Sequence, residues 1–112
     1  MFLNAEHKQR FEELVDRANV KSWDYERGAL FYILSGNSDL YCQINKLYDF
    51  DNNWIITDHE ADLTGSTEKL VALAHNLYNG TKSEYSFLDT FGSLDDNNFK
   101  LALNAIRVRF NK

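Results

Sequence analysis

Proline is absent from this chain, and glycine occurs five times and cysteine once in 112 residues. A sandwich of many short strands needs frequent turn residues, so the scarcity of both turn formers points to helices joined by short loops. The lone Cys42 excludes an internal disulfide and any cysteine-based zinc site, which fits a reducing compartment. No apolar run approaches the roughly 20 residues that a membrane-crossing helix requires. The opening MFLNAEHKQR has neither the basic start nor the apolar centre of a signal peptide. The chain is therefore expected to be cytoplasmic, with no membrane contact. HExxH, a phosphate-cradling glycine loop and a nucleophile elbow are also missing, and the three histidines lie far apart. No catalytic residue is named, and the chain is not read as an enzyme.

Positive charge is in short supply too, with 12 Lys and Arg against 17 Asp and Glu. Residues 1–48, 49–98 and 99–112 carry net charges of −1, −8 and +4. So acidic a middle makes nucleic acid an improbable partner. The basic end contributes Arg107 and Arg109 as candidate anion contacts, although cations in the last turn of a helix also complement its exposed carbonyls.

What is present suffices for one core. With 44% hydrophobic and 14% aromatic residues, residues 1–112 are expected to form one mainly α-helical domain. The expected architecture is a compact bundle of about five helices, with a helix-loop-helix around residues 38–65. Asn4 caps a first helix to about Ala18, with Phe11, Leu14, Val15 and Ala18 inward; Met1, Phe2 and Leu3 tuck against the core and His7 lies at the surface. Asp24 or Ser22 opens a second, densely apolar helix that ends at Gly36, and Gly28 within it suggests close approach of another helix. Ser38 or Asp39 caps a third, on which Leu40, Tyr41, Ile44, Leu47 and Tyr48 are apolar and Cys42 is a small core or boundary residue. Ser66 or Thr67 caps a fourth, ending at Gly80, and His75 at its edge reads as a hydrogen-bonded structural histidine. Residues 81–92 form a loop pinned by Tyr85, Phe87, Leu88 and Phe91. The last helix, within Ser93–Phe110, is read as the centre of the bundle: Phe99, Ala102, Leu103, Ile106 and Phe110 recur at three-and-four spacing, a second strip of Leu101, Ala105 and Val108 lies beside them, and Lys100 and Asn104 mark the solvent edge.

One stretch has the spacing of a ligand site. In DFDNNWIITDHE, counted from Asp49, oxygen-bearing side chains stand at positions one, three and five (Asp49, Asp51, Asn53), a backbone carbonyl at seven (Ile55) and a glutamate at twelve (Glu60). This is the ligand order of an EF-hand calcium loop. Against it, position six holds Trp54 where the loop's turn calls for glycine, no second such loop is present, and Thr57 with Glu60 also makes an ordinary capping box. A metal-free loop is the first reading, Ca²⁺ binding the alternative.

The start FLNAEHKQRFEELVDR, the middle LVALAHNLYNG and the ending LDDNNFKLALNAIRVRF together resemble a family of small proteins of unknown function from Gram-positive bacteria, their phages and mobile elements. The resemblance spans nearly the whole chain and implies a compact, cytoplasmic, helix-rich domain. It assigns no catalytic residue.

Three functions are compatible with these features. The first is a protein-interaction or regulatory domain, associated with phage or mobile DNA, that binds a protein partner; Tyr48, Phe50 and Trp54 beside the acidic loop would supply contacts if exposed, burial beneath the loop being the more ordinary arrangement. The second is a calcium-stabilised or metal-switched module built on residues 49–60. The third is a phage counter-defence protein that sequesters a nucleotide signal, which requires a basic, aromatic pocket. Oligomeric state is open, because a second apolar strip on the last helix serves a core or a dimer seam equally well.

Overall fold

Seven consecutive residues of one helix, Ala29 to Ser35, are all buried. A helix without a wet face must be covered on every side, and that requirement organises the molecule. The computed structural model describes residues 2–112. In chain order these form α1 (Ala5–Ala18), α2 (Tyr25–Gly36), α3 (Ser38–Cys42), α4 (Ile44–Leu47), a hairpin of β1 (Tyr48–Asp49) and β2 (Trp54–Ile55), α5 (Gly65–Asn79), α6 (Phe87–Gly92) and α7 (Asp96–Phe110). The fold is mainly α, as expected. Its centre, however, is α2 and not the last helix: α1, α5 and α7 each pack directly on α2, and Phe31, Tyr32, Ile33 and Leu34 are at most 1% exposed. Each such side chain contributes about 1.5–3 kcal/mol by leaving water, so α2 holds the densest share of the core.

Side-chain caps set the helix starts. Asn4 accepts from the His7 amide at 2.8 Å, as expected; Asp24, one of the two residues expected, accepts from Arg27 at 3.0 Å, and Asp95 from Asn98 at 2.8 Å. Two caps differ from expectation. Asn37, not Ser38 or Asp39, caps α3 through the Leu40 amide, and Thr64, not Ser66 or Thr67, caps α5. Thr64 and Thr67 bond each other's amides, which is a capping box with threonine in the place of the usual glutamate. With glycine scarce, left-handed helix ends fall mainly to asparagine, at Asn19 (φ 52°) and Asn111 (φ 55°).

The third helix expected through Tyr48 is broken at Gln43. Its side-chain amide donates to the Asp62 carbonyl at 2.8 Å and its side-chain oxygen accepts from the Asp62 amide, tying the break to the strand of chain that leads into α5. Cys42 is exposed, not in the core or at its boundary. Residues 87–92, expected as loop, make the short helix α6, capped by Ser86 through the Asp89 amide at 3.0 Å.

Gly36 ends α2 for a reason other than a left-handed turn. A Cβ there would collide with Leu101 Cδ1 on α7 and stand 2.9 Å from His7 Nε2 on α1, so glycine lets three helices meet. Gly28 has no such constraint, because its Cβ would meet Val108 Cγ1 at 3.6 Å, an ordinary contact. His7, expected at the surface, is 3% exposed. Its Nε2 bonds the Tyr32 carbonyl at 2.9 Å and its Nδ1 accepts from the Leu3 amide at 3.2 Å, which sets the neutral tautomer with hydrogen on Nε2. Phe2 and Leu3 pack against the core as expected, and Met1 lies outside the described residues.

Candidate functional site

The acidic stretch 49–60 folds as a hairpin in register Tyr48 to Ile55 and Asp49 to Trp54. One Asp49 oxygen accepts from the amides of Asp51 and Asn52 at 3.0 and 3.1 Å, and the other from the Asn52 side chain at 2.7 Å. Those bonds, the Asn52 amide's first, hold the Asp49 carboxyl below its ordinary range. The positive φ that a calcium loop needs at position six falls one residue earlier, on Asn53 (φ 58°). Asn53 faces inward: its side chain accepts from the Tyr48 hydroxyl and its carbonyl from Arg27 at 2.9 Å. Thr57 and Glu60 cap no helix, since α5 starts at Gly65. Among the described residues, Asp49, Asp51 and Glu60 do not form a group of three His, Cys, Asp or Glu that could hold a metal ion.

The three aromatics beside this loop part company. Tyr48 is 1% exposed and packs edge-on to Phe31. Phe50 is half-buried, stacked on Phe31 and covered by the Arg17 guanidinium 3.9 Å from its ring. Trp54, 52% exposed, alone offers a contact surface, its ring edge-on to Tyr78.

A larger apolar surface lies elsewhere, on α6 and α7. The inward face of α7 is the strip of Leu101, Ala102 and Ala105. The first strip read from the sequence is divided: Ala102 is fully buried and Ile106 half-buried, whereas Phe99, Leu103 and Phe110 are exposed. On α2, Gly36 leaves open the space that Leu101 fills. Phe87 and Leu88, expected to pin a loop, are 73% and 78% exposed on α6. Phe91 beneath them stacks on Phe87 and meets Phe99 edge-on at 5.6 Å, so the exposed surface of α6 runs on to α7 without interruption.

A cleft opens on the adjoining side of α7. At 3.6 residues per turn, Lys100, Asn104, Arg107, Val108 and Asn111 share one face, about a quarter turn from Phe99, Leu103 and Phe110. These five line a cleft of about 840 Å³ together with residues from α1, from the 20–25 segment and Gly28 of α2. Asn104, expected at the solvent edge, hydrogen-bonds the Tyr32 hydroxyl. Of the two arginines read as anion contacts, Arg107 lines this cleft; Arg109 points away, donating to the Leu77 carbonyl and pairing with Glu26 at 3.7 Å.

The family model that matches this chain spans residues 1–112 and carries the description family of unknown function, DUF6075. The chain belongs to that family. No curated protein and no solved structure matches it.

Two features of this DUF6075 domain escaped the sequence reading. Arg27 reaches from α2 to the hairpin, donating from Nε to the Tyr48 hydroxyl at 3.0 Å, from one terminal nitrogen to Asp24 at 3.2 Å and from the other to the Asn53 carbonyl. Its partners lie up to 26 residues away, and spacing along the chain carries no sign of them. The second is a groove that brings His59 beside half-buried His75, with Glu68 and Glu84 on its walls. Desolvation, and then the neighbouring His59, lower the His75 pKa. In this DUF6075 domain no described helix is long and apolar enough to cross a membrane.

Proposed function

We propose that this chain is a cytoplasmic protein-interaction domain that acts by binding and not by catalysis, and that its docking surface is the outer face of α6 and α7. The proposed occupant is an amphipathic helix of another protein, its apolar stripe bordered by acidic residues. The observation that carries this reading is the run of exposed large apolar side chains from Phe87 and Leu88 to Phe99, Leu103 and Phe110. Contiguous apolar surface of this kind is characteristic of binding sites, and helical anchors at three-and-four spacing fit a partner helix laid alongside. The border supplies the sign. Lys100 and Arg107 flank the stripe, and neither makes an ion pair among the described residues. Acidic groups on the partner would complement them, whereas a second copy of this face would bring cations against cations. The resemblance noted in the sequence adds a setting, Gram-positive bacteria and their phages or mobile elements, in which the partner is a host protein.

Fluorescence anisotropy with two labelled helical peptides tests this. The peptides share one apolar stripe, bordered by Glu in one and by Lys in the other. The wild type is expected to bind the Glu-bordered peptide at least tenfold more tightly; Leu103→Asp, at an exposed position, abolishes binding, and the double variant Lys100→Glu with Arg107→Glu inverts the preference. Equal affinity for both peptides, indifference to Leu103→Asp, or a dimer that Leu103→Asp dissolves would each refute the assignment.

A further inference from the structure

We infer that the cleft between α1, α2 and α7 binds a small amphipathic anion, an apolar body carrying a phosphate or carboxylate group. This goes beyond the docking surface proposed above: the cleft lies on the adjoining side of α7, and Lys100 and Arg107 stand between the two. At about 840 Å³ the cleft falls within the range of clefts that enclose small organic ligands. Its wall is divided chemically. Phe2, Phe11, Val15 and Val108 give it an apolar floor, and Lys21, Lys100, Arg107 and Lys112 stand around it.

The four cations are notable in a chain of net charge −5. One carboxylate, Asp24, also lines the cleft, and it is committed elsewhere: it caps α2 and pairs with Arg27 at 3.2 Å. None of the four cations makes an ion pair among the described residues. Lys21 and Lys112 follow the ends of α1 and α7, where cations also complement exposed carbonyls. That role does not extend to Lys100, in the first half of α7, whose charge near a helix start works against the dipole.

Gly28 is the second observation. It sits within α2 on the cleft wall, where glycine is a poor helix former, and packing does not require it, since a Cβ would meet Val108 at an ordinary 3.6 Å. What its missing side chain provides is space inside the cleft. A glycine that leaves space in the cleft at the expense of helix propensity, among cations that make no ion pair and two phenylalanines, is what a ligand with an apolar body and an anionic group needs.

Two sources share that chemistry, a nucleotide with its aromatic base and a lipid-like acid with its alkyl chain. Isothermal titration of the wild type with adenosine monophosphate, dodecyl phosphate below its micelle concentration, inorganic phosphate and neutral octyl glucoside distinguishes them. At least one of the first two is expected to bind at least tenfold more tightly than either inorganic phosphate or the neutral glycoside, and more weakly at high salt. Gly28→Leu is expected to keep or raise Tm while abolishing binding, and Lys21→Glu with Lys112→Glu to weaken it at least tenfold. None of the three positions lies on the peptide-binding face, so peptide binding by these variants reports separately on the docking proposal. Absence of binding by both amphipathic anions, equal binding of inorganic phosphate or of the glycoside, or binding that survives Gly28→Leu overturns the inference.

Discussion

Gly28 and Gly36 stand eight residues apart on the same helix, and the structure separates their roles. At Gly36 the added methyl of alanine would press on Leu101 and His7, and overpacking of that kind costs about 1–3 kcal/mol. At Gly28 the same methyl meets only an ordinary contact, and alanine gains roughly 0.5–1 kcal/mol of helix propensity. Denaturant melts of Gly36→Ala and Gly28→Ala are therefore expected to move in opposite directions, the first losing stability and the second holding or gaining it. His7 makes a second residue-scale prediction. Burial lowers its pKa despite the bond to the Tyr32 carbonyl, and a proton on Nδ1 would oppose the Leu3 amide. The folded pKa thus lies below the unfolded value of about 6.5, so the stability from neutral His7 is complete above that pH and is lost as pH falls through the folded value. His75 works in the same direction. Thermal melts between pH 7.5 and 5 are expected to show falling Tm, the unfolding free energy dropping by at most about 1.4 kcal/mol per pH unit for each histidine. His7→Phe is expected to lower Tm at pH 7.5 and to flatten that dependence. Neither role was legible from the residues alone, because the groups that define them, Leu101 and the Tyr32 carbonyl, come from other helices.

At the scale of elements, some helix starts could be read and the inward face of a helix could not. Asn4, Asp24 and Asp95 cap through bonds to amides three residues on, a local interaction that spacing records. The orientation of α7 depends on what α2 presents to it. Two apolar strips were visible, and the buried set, Leu101, Ala102 and Ala105, draws on both; Leu101 fills the space that Gly36 leaves open. The 49–60 stretch was ambiguous for a related reason. An aspartate has this spacing from the residues after it with or without a cation, and Asp49 closes a turn through the amides of Asp51 and Asn52. The hairpin rests on Asn53, which combines a left-handed backbone with bonds to Tyr48 and Arg27. Asn53→Ala keeps the carbonyl but loses the side-chain acceptor and strains the backbone. A loss of about 2 kcal/mol in chemical denaturation is expected, and Asn53→Gly is expected to recover part of it.

For the molecule as a whole, the helical class and the basic end could be anticipated, since a chain with no proline and few glycines favours helices and the last 14 residues hold four cations and no acid. The cleft that Lys100, Arg107 and Lys112 of that end line could not. It is assembled from Phe2, Lys21, Gly28 and Arg107, which share no motif and become neighbours only when α1 and α7 close on α2. The same closure has a consequence for how the chain reaches this state. Residues 29–34, Ala-Leu-Phe-Tyr-Ile-Leu, form an uncharged apolar run without proline or glycine, the type of segment that pairs between chains when it is extended and uncovered. Its principal cover, α7, begins some 60 residues later in the sequence, at Asp96. Glu26 and Arg27 before it and a polar Ser-Gly-Asn after it act as gatekeepers. The arrangement that gives α2 its complete burial thus sets folding in competition with self-association, and a change that merely slows the docking of α7 would be felt as aggregation before it was felt as loss of equilibrium stability.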